Sequence, residues 1–174
     1  MTAKLIVNDV QVELGYKELE GICDCLEDCQ RNKAVFNELA KSNCVDIRVS
    51  VACRKSIGPA TIKILLEDNS IEVLRMAVIN HRIKAYMRTQ DFEHLLNTND
   101  SIILKDIADD FEFYVEEIGI DPLWLCNELL TRGDLSVKYA LAENDCVPFE
   151  VKEKLAQDED VNIRETAKET MLNR

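Results

Sequence analysis

The sequence has little of what a disordered, fibrous or membrane-spanning chain requires. Its 174 residues include only five Gly, three Pro and one Trp, and hydrophobic residues make up 47% of the total. Disordered chains have too few apolar groups to offset the loss of chain entropy, so this composition predicts a folded protein. Its longest apolar runs, such as residues 64–66 and 123–126, are far shorter than the roughly 20 residues of a membrane-spanning helix.

Targeting and catalytic motifs are missing as well. Asn8 and Asp9 interrupt the first apolar stretch too early for the apolar core of a signal peptide, so we expect a cytoplasmic protein. There is no glycine-rich phosphate loop, HExxH motif or GxSxG motif, and no pair of carboxylates placed as a general acid and a general base. We therefore expect no enzymatic activity and no bound cofactor or metal.

Residues that commonly hold metal ions are present but poorly spaced. His81 and His94 are the only histidines, and their separation fits no standard ligand spacing, so we interpret both as surface residues. The seven cysteines include no Cys-x-x-Cys pair, and an odd number without a secretion signal favours free thiols. We expect them to fill the core as small apolar residues. The alternative is a metal or cluster at Cys23, Cys25 and Cys29.

Negative charge predominates, with 33 acidic against 21 basic residues and a formal net charge of −12. Because cations supply much of the affinity for a phosphate backbone, this balance argues against nucleic acid as a partner. Residues 33–83 differ from the rest of the chain, because they contain more basic than acidic side chains, eight against five. We expect part of this basic island to bind an acidic segment; the alternative is a set of solvated helix faces. Its chief cations are Arg48, Arg54, Lys55, Lys63, Arg75 and Arg82.

An internal repeat is the most informative feature. Five leucines, which we call the anchors, are each followed by a β-branched residue after eight positions and by an aliphatic residue after twelve. Positions four apart share one face of a helix, so the pattern predicts a buried helical face in every repeat. The anchors are Leu39, Leu65, Leu95, Leu129 and Leu155; the residues at +8 are Ile47, Val73, Ile103, Val137 and Ile163; those at +12 are Val51, Ala77, Ile107, Leu141 and Ala167.

A polar connection separates each anchor from this helix. Ser or Asp stands five residues after four of the anchors, where a side-chain oxygen can accept from the first N–H groups of a helix. Proline opens the preceding helix in three repeats, where its missing N–H costs nothing. Each repeat is therefore predicted to be a helix, a polar turn and a second helix. The caps are Ser70, Asp100, Asp134 and Asp160, and the prolines are Pro59, Pro122 and Pro148.

Two regions depart from the repeat. In residues 1–32, apolar residues flank Asn8 and Asp9 and predict a small hairpin, and an amphipathic pattern predicts a helix from Tyr16 to about Asn32 that caps the array. In the third repeat, residues 111–118 are expected to prolong the second helix. Their aromatic residues either form an exposed acidic surface for a basic, apolar partner or fill additional core volume. The aromatic residues are Phe111, Phe113 and Tyr114.

Residues 39–52 and 155–167, each with Leu-Ala followed by an aliphatic-polar-Ile-Arg segment, resemble HEAT-like repeats, most closely the leucine-rich variant repeat. The resemblance covers about residues 33–170 and implies an all-helical, right-handed solenoid whose curved surface binds proteins. The basic residue of the motif is present as Arg48, Lys138 and Arg164. Acidic residues four positions before the last two predict ion pairs that support the helix. Leucine replaces the basic residue at positions 74 and 104.

The sequence thus predicts an all-α protein with a capping segment over residues 1–32 and about five short HEAT-like repeats over 33–174. We expect a noncatalytic module that binds another protein through its basic island or through the aromatic residues of the third repeat. Two alternatives remain. One is an enzyme of the DNA-glycosylase kind built on helical repeats, and the other is an acidic mimic of nucleic acid that occupies a DNA-binding protein.

Overall fold

Helices and one small sheet make up the part of the chain that the computed structural model describes, residues 3–7 and 10–173. Strands β1 (Ala3–Val7) and β2 (Val10–Leu14) pair antiparallel, with Val7 opposite Val10. The predicted hairpin is confirmed, and its connecting residues Asn8 and Asp9 lie outside the described residues. None of the helices in these two ranges combines the length and the apolarity that a bilayer crossing requires.

The helix that follows the hairpin is shorter than predicted. Helix α1 (Tyr16–Cys25) ends well before Asn32, because Leu26 adopts an extended conformation. A single 3₁₀ turn, Gln30–Asn32, then leads into the first repeat.

Five pairs of helices follow, one for each anchor leucine. In every pair the anchor lies in or at the end of the first helix, and the second helix begins six residues after it. The prediction of a helix, a polar turn and a second helix is therefore confirmed in all five repeats. The pairs are α2 (Lys33–Leu39) with α3 (Val45–Ala52), α4 (Pro59–Leu66) with α5 (Ile71–Ile79), α7 (Thr89–Asn97) with α8 (Ser101–Asp109), α10 (Pro122–Arg132) with α11 (Leu135–Glu143), and α12 (Phe149–Leu155) with α13 (Val161–Leu172).

Two short helices fall between these pairs. Helix α6 (His81–Lys84) follows α5, and α9 (Phe111–Glu116) follows α8. Residues 111–118 were expected to prolong α8, and this expectation is wrong. Asp110 leaves the helical conformation, so the chain turns and α9 begins as a separate helix.

The buried face predicted from the repeat forms the core. The five β-branched residues at +8 are at most 1% exposed, and the five aliphatic residues at +12 are fully buried. The chain divides into two compact units, an N-terminal unit (Met1–Tyr86) and a C-terminal unit (Met87–Arg174). Within the first unit α1, α3 and α5 pack in chain order, and within the second α8, α11 and α13 do the same. The apolar repeat continues on both sides of residue 86, so the sequence pattern does not indicate this division.

A polar side chain fifteen residues after an anchor reaches back to the end of the preceding second helix. The side-chain amide of Asn80 donates to the carbonyls of Ala52 (2.6 Å) and Arg54 (3.0 Å). Asn144 makes the equivalent bonds to Ala108 (3.1 Å) and Asp109 (2.8 Å). The last carbonyls of a helix have no partner within the helix, so these amides satisfy groups that would otherwise lose hydrogen bonds on burial.

Two further repeats use different side chains for the same purpose. The Arg54 guanidinium donates to the Cys23 carbonyl at the end of α1 (2.8 Å), and the Thr170 hydroxyl donates to the Ala142 carbonyl at the end of α11 (2.9 Å). Arg54 and Thr170 also stand fifteen residues after an anchor. Hydrogen bonds from this position therefore join consecutive second helices in both units.

Ion pairs form a second connection between repeats. Arg48 donates to both oxygens of Asp68 (2.6 and 3.0 Å), and Lys138 donates to Asp158 (3.0 Å). In each case the base stands nine residues after one anchor and the acid three residues after the next. The expected pairing of Lys138 with the acid four residues earlier is therefore wrong.

Asp134 and Asp160, which were expected to pair with the basic residues four positions later, cap helices instead. Asp134 accepts from the backbone N–H groups of Ser136 (2.8 Å) and Val137 (3.3 Å). Asp160 accepts in the same way from Asn162 (2.8 Å) and Ile163 (3.2 Å). Both residues fulfil the capping prediction, because a carboxylate at this position satisfies the first N–H groups of the helix.

Replacing Asn144 with Ala should lower the free energy of unfolding by about 1–3 kcal/mol, because two helix-terminal carbonyls lose their donor. Asn127→Ala on the exposed side of α10 is the matched control, and it should change stability by less than about 0.5 kcal/mol. Urea unfolding followed by circular dichroism measures both variants. Equal stabilities for the two variants would contradict the proposed capping role.

Low pH should weaken the ion pair between Lys138 and Asp158. Hydrogen bonds from the Asp160 backbone N–H and from Lys138 lower the pKa of Asp158 below its ordinary value of 3.8. The ionised form is therefore favoured in the folded state, and its stabilisation is complete above about pH 5 and is lost as the pH falls below 3.8. Asp158→Asn should flatten the loss of unfolding free energy between about pH 5 and pH 2, whereas Glu153→Gln on α12 should leave it unchanged.

Candidate functional site

Two of the predicted basic residues are committed to internal contacts. Arg48 binds Asp68 and also donates to the Ser42 carbonyl (2.7 Å). Arg54 binds the end of α1, and its guanidinium carbon lies 5.7 Å from the centre of the Phe36 ring. Both side chains hold helices together, so neither forms part of an open cationic surface.

The other predicted cations do not form one surface either. Lys63 is exposed on α4 and lies 3.8 Å from Glu67 one turn later, whereas Arg75 is half-buried on α5. Lys55 is exposed, and it lines a hollow of the N-terminal unit together with Arg82. The six cations of the basic island therefore do not act together. Arg48 and Arg54 hold helices in place, and only Lys55 and Arg82 line a common hollow.

The aromatic residues of the third repeat belong mainly to the core. Phe111 and Tyr114 are fully buried, and Phe113 is half-buried. The Tyr114 ring lies 5.3 Å from the Phe92 ring and 5.2 Å from the Phe113 ring, distances typical of packed aromatic pairs. The interpretation of Phe111 and Tyr114 as exposed recognition residues is wrong, and the alternative, that they fill core volume, describes them correctly.

A groove on the surface of the C-terminal unit combines exposed apolar side chains with acidic ones. This combination was expected at Phe111, Phe113 and Tyr114. Two adjoining depressions of about 340 and 230 Å³ lie along α11 and α13. We call them together the acidic groove. Their apolar residues are Leu135 (59% exposed), Tyr139 (38%) and Val161 (54%). A contiguous group of exposed apolar side chains with a polar rim is typical of a protein-binding surface.

The polar residues of the acidic groove are acidic or neutral. Asp160, Glu165 and Glu169 line it, and among the described residues that do so there is no Lys or Arg. Hydrogen bonding to Lys168 (2.9 Å) lowers the pKa of Glu165. Glu165 is therefore ionised at neutral pH.

The charge of the whole C-terminal unit reinforces that of the groove. Residues 1–86 contain 12 basic and 12 acidic side chains, whereas residues 87–174 contain 9 basic and 21 acidic ones. The net charge of −12 therefore belongs entirely to the C-terminal unit. A field of this sign raises the association rate of a positively charged partner.

The cysteines are all free, and they differ in exposure. Cys23 and Cys126 are buried, as expected of small apolar residues, and burial raises the pKa of Cys126 to about 12. Cys25, Cys53 and Cys146 are exposed, so the expectation that the cysteines fill the core is wrong for these three. Residues 3–7 and 10–173 contain no group of three His, Cys, Asp or Glu side chains arranged to hold a metal ion.

Sequence reasoning missed the residues of the acidic groove. Leu135 and Val161 each stand six residues after an anchor and Tyr139 ten residues after one, so their alignment in the repeat was visible. A signal for their exposure was present, because two residues span about 200° of an α-helix and positions +6 and +10 therefore lie opposite the buried positions +8 and +12. Comparison with known proteins finds no match, since no family model, no curated protein and no solved structure is similar to this chain.

The two roles considered for the aromatic residues can be separated by stability measurements. Phe111→Ala should lower the free energy of unfolding by about 3–5 kcal/mol, because it leaves a cavity in the core. The Tyr114 hydroxyl is buried and has no hydrogen-bond partner among the described residues. Tyr114→Phe should therefore leave stability unchanged or raise it by up to about 1 kcal/mol. A loss of more than 1 kcal/mol in the Phe variant would indicate a partner for the hydroxyl.

Proposed function

We propose that this protein is a noncatalytic protein-binding module whose C-terminal unit binds a basic, partly apolar segment of another protein in the acidic groove. The single observation that supports it most strongly is the combination of exposed Leu135, Tyr139 and Val161 with the carboxylates of the rim. Apolar and aromatic side chains supply most of the energy at protein interfaces, and complementary charge selects the partner.

The ligand chemistry follows from these side chains. The Tyr139 ring offers a face on which an Arg or Lys side chain can stack, and this interaction is favourable for a cation near an aromatic ring. Leu135 and Val161 favour an aliphatic or aromatic side chain between the basic residues of the partner. A segment that alternates basic and apolar residues therefore matches the acidic groove better than a purely basic one.

The proposed architecture is a right-handed α-solenoid of HEAT-like repeats. It is supported by the five helix pairs and by the packing of consecutive second helices in chain order within each unit. Stacked repeats form their surface before any partner arrives, so binding costs little conformational entropy in the module itself. The seven free thiols suit a reducing compartment, and we place the protein in the cytoplasm.

The acidic groove can be tested with a phage-displayed library of random 12-residue peptides selected on the immobilised full-length chain. We expect enrichment of peptides in which Arg or Lys flanks an apolar residue. Tyr139→Ala should weaken a selected peptide by about five- to thirtyfold, as expected for an interface anchor. Phe149→Ala, which removes a more exposed ring from α12 (50% exposed, against 38% for Tyr139), should leave the affinity within about twofold.

The electrostatic part of the proposal needs its own pair of variants. Glu165→Lys with Glu169→Lys should reduce the salt dependence of the association rate and weaken the selected peptide. Glu150→Lys with Glu153→Lys on α12 makes the same change of net charge away from the acidic groove. Selected peptides without basic residues, or an equal loss in both double variants, would contradict the proposal. Binding that depends on charge but not on Tyr139 would favour the nucleic-acid mimic.

A further inference from the structure

The N-terminal unit contains a hollow whose chemistry is opposite to that of the acidic groove. It has a volume of about 440 Å³ and lies beside the ends of α3 and α5 and the start of α6. Met76 and Ile79 form its apolar wall, and Ile79 is 48% exposed. Hollows of 300–1,000 Å³ with an apolar lining and a few polar groups are typical sites for small molecules. We call this site the cationic hollow.

Two cationic side chains, a histidine and an asparagine supply its polar groups. Lys55, His81 and Arg82 line it, and no Asp or Glu does so among the described residues. The N-terminal unit as a whole has equal numbers of acidic and basic residues. The positive character of the cationic hollow is therefore a local arrangement and does not reflect the average composition of the unit.

The backbone around these cations is held in place. The side-chain oxygen of Asn80 accepts from the Arg82 backbone N–H (2.9 Å), while its amide group binds the carbonyls at the end of α3. The Lys55 backbone N–H donates to the Asp28 carboxylate (2.8 Å). The backbone positions from which the Lys55 and Arg82 side chains extend are thus held, so binding does not require this part of the backbone to be ordered first.

The charged groups of the cationic hollow are open to a ligand. The Arg82 guanidinium carbon lies 4.8 Å from the centre of the Tyr86 ring, within the range of a favourable cation–π contact, and this contact leaves the guanidinium N–H groups able to donate. Neither Lys55 nor Arg82 forms a side-chain ion pair within residues 3–7 and 10–173. An anion that enters can therefore bind both cations without displacing a carboxylate of the protein.

We propose that the cationic hollow binds a small organic anion in which a carboxylate, sulfonate or phosphate is joined to an apolar body. The anionic group would bind Arg82 and Lys55, since the planar guanidinium suits a forked contact with two oxygens. The apolar body would cover Met76 and Ile79. An acidic protein segment fits less well, because only two of the six cations in the basic island line this bounded volume.

The test uses two fluorescent probes that share an apolar body. 8-Anilinonaphthalene-1-sulfonate has the anionic group, and N-phenyl-1-naphthylamine has the same rings without it. We expect the sulfonate to bind the full-length protein at least about tenfold more tightly than the neutral amine. Arg82→Gln and Lys55→Gln should each remove most of this preference. Lys17→Gln with Lys41→Gln, which neutralises two exposed lysines outside the cationic hollow, should retain it.

The location of the bound probe can be read from the cysteines. Cys53 lines the cationic hollow, whereas the exposed Cys25 and Cys146 do not. The sulfonate should slow alkylation of Cys53 by iodoacetamide at least about fivefold and leave the other two thiols unchanged, as measured by mass spectrometry. Absence of binding, equal affinity for the two probes, equal loss in the control variant, or an unprotected Cys53 would each overturn the proposal.

Discussion

The structure depends on the carbonyl groups at the ends of its second helices. The last carbonyls of a helix lack donors from a following turn, and at the ends of α1, α3, α8 and α11 the next repeat supplies a donor from a position fifteen residues after its anchor. Asn80 and Asn144 use a side-chain amide, Arg54 a guanidinium and Thr170 a hydroxyl. These donors differ in chemistry but occupy the same position of the repeat. The repeat therefore specifies where a donor stands and does not specify its residue type. The apolar face at +8 and +12 provides the burial, and these hydrogen bonds set how consecutive helices meet.

Much of the fold could be predicted because apolar periodicity is local. The buried positions represented by Ile47 and Val51 lie one helical turn apart, so the sequence alone indicates that they share a face. The ion-pair and hydrogen-bond partners of the polar residues could not be predicted in this way. Lys138 stands four residues after Asp134 and twenty before Asp158, and only the stacking of repeats decides that it binds Asp158. Contacts between residues that become neighbours after stacking do not follow from the spacing within one helix.

The functional surfaces were harder to predict for a related reason. Phe111 and Tyr114 occur among many acidic residues, as an exposed recognition segment would, but the end of α8 at Asp109 starts a new helix that turns both rings into the core. Tertiary packing decides that outcome. Leu135 and Val161 face solvent, and the helical period accounts for this, because position +6 lies about 200° around the helix from the buried position +8. The charge balance of the two units, by contrast, could be counted from the sequence as soon as their boundary was known.

Because each donor lies in one repeat and its acceptors lie in the repeat before it, the stacking is directional. Removal of α13 would take the Thr170 hydroxyl from the Ala142 carbonyl and from the fully buried Lys152, whose ammonium group donates to both. Removal of α1 would take the Cys23 carbonyl from the half-buried Arg54 guanidinium. In both cases a cation of the remaining chain loses an acceptor, so truncation at either end should destabilise the neighbouring repeat as well as remove a helix.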